Sequence, residues 1–143
     1  MYGYVRVGAA VPRLKLADCT YNKEQIVTMA KEAAVKGIRV LTFPELCITG
    51  YTCADLFMQR PLLVAAEKCV KAIVAETKDL DLFFVIGTPV MLDSQQFNCA
   101  VAIYKGEILG MVPKTHLPNY SEFAEERWFS SADDILVDRI NYA

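Results

Sequence analysis

Asn22-Lys-Glu-Gln-Ile-Val-Thr-Met-Ala-Lys-Glu-Ala-Ala-Val-Lys-Gly-Ile-Arg-Val-Leu-Thr-Phe-Pro44 decides the architecture of this chain. Its first half carries Ile26, Met29, Ala30, Ala33 and Ala34 at helical spacing until Gly37 closes the run. Asn22 followed by Gln25 has the spacing of a capping box at the helix start. Its second half, Ile38 to Phe43, reads as a short strand with Val40 and Leu41 inside, halted by Pro44. A helix coupled so closely to a strand is part of a βαβ unit, so the sequence predicts parallel strands with helices laid on them.

The flanking segments extend that unit. Residues 4 to 11 alternate and are rich in β-formers up to Pro12, which predicts a first strand. Pro61 suits the first turn of a second helix, whose stripe Leu62, Ala65, Ala66, Cys69, Val70, Ile73 and Val74 can lie on a sheet. Leu82 to Gly87 is an unbroken apolar run, too short for a helix, and predicts a strand buried on both faces. Asn98–Tyr104 and Glu107–Val112 flank Lys105-Gly106 and predict an antiparallel hairpin. The expected order is β-α-β-α-β-β-β, an α/β layered sheet in one structural unit.

Composition narrows the function. Fifteen Lys and Arg against seventeen Asp and Glu give a net charge of −2, so a nucleic-acid or anionic-membrane partner is not expected. Hydrophobic residues make up 54% and charged residues 22%, a composition short of polar surface and far from disorder. No apolar run is long enough to span a bilayer, and the N-terminus has no secretory pattern, so a cytoplasmic location is expected. Five cysteines without a CxxC pair and one histidine, His116, predict reduced thiols and no metal site.

Three places concentrate chemistry. Glu45, in Phe43-Pro-Glu-Leu-Cys-Ile-Thr-Gly-Tyr51, follows the carboxyl end of a strand, where α/β sheets bind ligands. It is either a solvated loop carboxylate or, if partly buried with a raised pKa, a general base. Lys114, in Val112-Pro-Lys-Thr-His-Leu-Pro-Asn-Tyr120, follows the last strand in a loop stiffened by two prolines; it is either a surface cation or the stabiliser of an oxyanion. Glu122, Glu125, Glu126 and Arg127 surround the only tryptophan, Trp128, and such a cluster can equally be a solvated turn with local ion pairs. No G-x-S-x-G, P-loop or G-x-G-x-x-G is present, which takes away the main support for serine-hydrolase, P-loop and Rossmann readings.

These motifs carry a resemblance. Phe43 to Phe57 resembles the first signature of the nitrilase (carbon–nitrogen hydrolase) superfamily, and Val112 to Phe129 resembles its second. Within it, Thr-Gly-Tyr…Asp-Leu-Phe, Pro-Lys…Leu-Pro-Asn-Tyr and Phe-x-Glu-x-Arg-Trp-Phe are similar to the glutaminase domain of the glutamine-dependent NAD synthetases, over roughly residues 3 to 130.

The resemblance implies the first half of a four-layer α-β-β-α sandwich and a Glu-Lys-Cys triad acting on glutamine. It makes Glu45 the base that takes the thiol proton and Lys114 the group that steadies the tetrahedral intermediate. It places Tyr51 and Tyr120 in the glutamine pocket and matches Glu125, or less closely Glu122, to an additional carboxylate near the lysine. The ammonia would amidate nicotinic acid adenine dinucleotide in a synthetase domain that uses ATP and Mg. In the family the nucleophilic cysteine lies beyond the second signature, and no cysteine of this chain occupies that place; Cys47 is a poor substitute. The chain alone is therefore expected to be inactive, to need the remainder of its own polypeptide as partner, and to form a homo-oligomer. Residues 1–143 would be a partial glutamine amidohydrolase domain, with 130–143 a poorly matched and loosely folded tail. Another nitrilase-type amidase, or a catalytically empty binding or assembly module, is the alternative.

Overall fold

The computed structural model describes residues 3–137 and 142. The elements follow the expected order: β1 (Val7–Ala9), α1 (Cys19–Val35), β2 (Val40–Thr42), α2 (Arg60–Glu76), β3 (Phe83–Leu92), β4 (Gln95–Tyr104) and β5 (Glu107–Pro113). They form one sheet in the order β1-β2-β3-β4-β5, with β1, β2 and β3 parallel and β3, β4 and β5 antiparallel.

α1 and α2 pack together and bury Ile26, Ala30, Ala33, Ala66, Val70 and Ile73 in one core with Leu41, Phe84, Ile86, Val101 and Ile103 of the sheet. Strand alternation puts those five strand residues on one face. The other face stays open. Val7, Val40 and Val112 point there and are exposed, while Phe83 and Val85 are half-buried. The chain thus contributes one helical layer and one sheet of the expected sandwich, and no helix among the described residues is long and apolar enough to cross a membrane.

Several local expectations are corrected. Asp18, not Asn22, caps α1 by accepting from Tyr21 N at 3.0 Å. Asn22 is buried inside the helix, where it bonds Lys15 N and O at 2.8 Å and Ile48 O at 3.0 Å. β1 is only three residues long, because β2 offers it just three partners and Tyr4 and Val5 are exposed. Of the pair expected inside β2, Leu41 is buried but Val40 lies on the open face. β3 is likewise not buried on both faces. It also runs through Pro89 to Leu92, and Pro89 is tolerated because β2 has already ended, so among the described residues this stretch pairs with β4 alone. The turn at Asp93-Ser94 needs a positive φ of 54° at Asp93 and was hidden by the polar run that continues it. Ser130 to Ile135, part of the expected loose tail, is pinned by Ser130 N to Gln96 O at 2.8 Å and Ala132 N to Lys114 O at 3.1 Å; residues 138–141 and 143 lie outside the described residues.

Candidate active site

Glu45 sits where the chain leaves β2 and folds across β3. Phe43 N still donates to Val85 O at 2.9 Å, and after Pro44 the backbone turns with Leu46 at a φ of +50°. Gly50 N to Leu46 O at 2.8 Å closes that turn. Ile48 N donates to Gly87 O at 3.2 Å, and Cys47 Sγ accepts from Gly87 N at 3.4 Å. Only glycine fits beneath this turn, since a Cβ on Gly87 would lie 2.3 Å from Leu46 N.

Lys114 arrives from the other side. It follows β5 directly, and its N donates to Asn98 O at 2.8 Å. Its ammonium lies 2.8 Å from Glu45 Oε1 and 3.0 Å from each Glu125 oxygen. Tyr51 Oη donates to Glu125 Oε1 at 2.6 Å, and Asn98 Nδ2 donates to Glu45 Oε1 at 2.5 Å. The head groups of Glu45 and Lys114, which follow different strands, are thus in direct contact.

The two carboxylates are not equivalent. Glu125 is 2% exposed whereas Glu45 is 42% exposed, so the expectation of partial burial at Glu45 is met instead by Glu125. Burial works against the charge on Lys114, but hydrogen bonds to Glu45 and Glu125 outweigh it and hold the ammonium above its ordinary range. Burial pushes the Tyr51 phenol up, and its bond to Glu125 adds to this, so it stays a donor. Tyr120 is not brought in: it is 69% exposed and packs edge-on against Phe123. Glu122 is exposed as well. Asn98 was missed as a site residue; its one signal was a buried-type amide at the start of an otherwise apolar strand.

The sequence profile described as Carbon-nitrogen hydrolase matches residues 6–140. The chain belongs to the carbon–nitrogen hydrolase family. It is similar to the glutamine-dependent NAD(+) synthetase of Mycobacterium leprae, 38% identical over 92% of this chain and 19% of that protein, and to that of Aquifex aeolicus, 33% identical over 88% and 22%. It therefore spans about a fifth of the length of the curated relatives it matches. A crystal structure of a glutamine-dependent NAD(+) synthetase from Cytophaga hutchinsonii superposes with a TM-score of 0.84 at 30% identity, covering 89% of this chain and 22% of that one. An amidase from Nesterenkonia sp. shares the fold at a TM-score of 0.74 and 22% identity, over 89% of this chain and 48% of that one.

In this carbon–nitrogen hydrolase chain, a cavity of about 370 Å³ lies beside the network, lined by Thr42, Glu45, Gly87, Asn98, Val112 and Lys114. It opens toward the exposed sheet face. A larger cavity of about 820 Å³, against Phe57, Arg60 and Trp128, touches neither Glu45 nor Lys114. Cys47 is fully buried and burial pushes its thiol up to about 12, which leaves almost no thiolate near neutral pH. All five cysteines are buried and free.

Proposed function

We propose that the chain is the front half of the glutaminase domain of a glutamine-dependent NAD synthetase, with Glu45 and Lys114 serving a cysteine supplied by another part of the polypeptide. The observation that carries this is the Lys114 ammonium held between Glu45 and Glu125 at 2.8 and 3.0 Å. Such a fixed cation is what an oxyanion needs, because it costs no reorganisation when charge develops. Oε1 of Glu45 takes the bonds from Lys114 and Asn98. That leaves Oε2 to receive the thiol proton.

In the proposed reaction the thiol gives its proton to Glu45 as sulfur attacks the side-chain amide carbon of glutamine. The oxygen of that amide turns toward Lys114 as its charge grows. Collapse breaks the C–N bond, Glu45 returns the proton to the departing ammonia, and water then cleaves the thioester to glutamate and thiol. Glu125, itself held by the Tyr51 hydroxyl, holds the lysine. Tyr120, exposed here, enters the pocket only if other parts of the protein fold over it. ATP and Mg serve the synthetase step and have no place at this cluster, where the ammonium already occupies the space between the carboxylates.

The test is Glu45→Gln in a polypeptide carrying the cysteine-bearing segment and the synthetase domain. Glutamine-dependent turnover should fall by about 100-fold or more while synthesis from free ammonia survives. Retention of glutamine-dependent turnover within a factor of a few would mean that Glu45 is not the base.

A further inference from the structure

Both motifs end in residues that this chemistry leaves unused: Asp55-Leu-Phe57 after Tyr51, and Arg127-Trp-Phe129 after Glu125. The fold joins them. Asp55 Oδ1 accepts from Arg127 Nε at 2.7 Å and from Trp128 Nε1 at 2.9 Å, and Oδ2 accepts from Arg127 Nη2 at 3.0 Å. Beneath them the buried Phe57 ring lies 5.0 Å from Phe129 and 6.1 Å from Trp128. Each partner rides on a single short 3-10 turn, Ala54–Met58 or Glu125–Arg127, and Glu125 is the first residue of its turn.

An ion pair this exposed, 56% and 61% at the two side chains, adds little to stability. Its three-bond geometry instead fixes distance and orientation. Tyr51 precedes the first turn and Glu125 opens the second, so the Tyr51–Glu125 hydrogen bond and the Asp55 bonds tie the same two loops at two points. A single tie would let the two loops swivel about it; the Asp55 bonds add a second tie away from the first, over the packed Phe57 and Phe129 rings. We propose that Asp55 is a positioning residue of the glutaminase site: by gripping Arg127 and Trp128 it fixes the Glu125 carboxylate, and through it the Lys114 ammonium. Hydrogen bonds from Arg127 and Trp128 hold Asp55 well below the usual carboxylate range, so the grip persists through mildly acidic pH. The inference rests on the function proposed above.

Trp128 is the only tryptophan, so its indole N–H resonance in the 143-residue chain reports the Asp55 bond directly. Asp55→Asn keeps the shape and withdraws the charge. The expected result is an indole signal displaced from its wild-type position. In the longer polypeptide, kcat for glutamine should fall about tenfold, with KM within twofold and ammonia-driven synthesis unchanged. Asp55→Glu, which keeps the charge, should recover part of the loss; if the Asn variant fails to fold, Asp55→Ser takes its place with the same expected displacement of the indole signal and fall in kcat. An indole signal unmoved by Asp55→Asn overturns the proposal, and so does a displaced signal with kcat intact while Glu45→Gln is inactive. If Glu45→Gln keeps full turnover, the reading of the site fails first, and an unchanged geometry of Glu125 and Lys114 in a crystal structure of the Asn variant then overturns the positioning role on its own.

Discussion

Glu125 depends on Lys114 more than Lys114 depends on Glu125. A carboxylate that is 2% exposed has little water to solvate it, and its partners are one ammonium and the Tyr51 hydroxyl. Lys114→Met should therefore destabilise the chain by about 3 kcal/mol, because it leaves a buried charge uncompensated. Adding Glu125→Gln should return most of that loss, since a neutral amide still accepts from Tyr51. Urea unfolding of both variants checks this; a double variant no more stable than the single one would show that Glu125 finds its compensation elsewhere. Glu45→Gln stands in contrast: at 42% exposure it should shift stability by no more than about 0.5 kcal/mol. Loss of turnover in that variant reports chemistry, whereas loss in Lys114→Met mixes chemistry with folding.

At the scale of elements, the site depends on how closely one turn can lie on one strand. Gly87→Ala would place a methyl 2.3 Å from Leu46 N and 2.8 Å from Glu45 C and Pro44 O. These are backbone atoms that cannot rotate aside, so the turn must lift and a cost of about 1–3 kcal/mol follows. Gly110→Ala is the control, with nothing within 4 Å of the added Cβ, and thermal unfolding of the two should differ by that amount. Equal midpoints would mean the turn is not seated as described. This contact also marks the limit of what the sequence could tell. The stripe from Leu62 to Ile73 and the run ending at Phe43 identify their elements because the period of buried residues is written in the chain. Glu45 and Lys114 stood out because both follow strand ends. Asn22 was legible only as a helix cap and Asn98 not at all, because each acquires its meaning from a carbonyl or carboxylate far away in sequence: Ile48 for one, Glu45 for the other. Tyr120 and Glu125 are close neighbours in one loop, and only the fold shows that one faces the lysine and the other faces solvent.

For the molecule as a whole, the open sheet face sets the behaviour. Val7, Val40 and Val112 are 67%, 38% and 68% exposed on one side of the sheet, and an uncovered apolar surface of this kind tends to find a partner. The isolated chain should self-associate, and Val112→Lys should raise the monomer fraction; sedimentation equilibrium showing a dilution-resistant wild-type monomer would remove the expectation. The change from parallel to antiparallel pairing at β3 has a consequence in time. β3, β4 and β5 are joined by tight turns at Asp93-Ser94 and Lys105-Gly106, so their pairing closes short loops. β2 must wait for a connection of helical length on each side before it can dock. Glu45 hangs from the late half and Lys114 from the early half. In pulsed amide exchange during refolding, Val101 and Ile103 should gain protection before Leu41 and Phe43, and simultaneous protection would contradict this. The lysine would then wait, already placed, for its carboxylate to arrive.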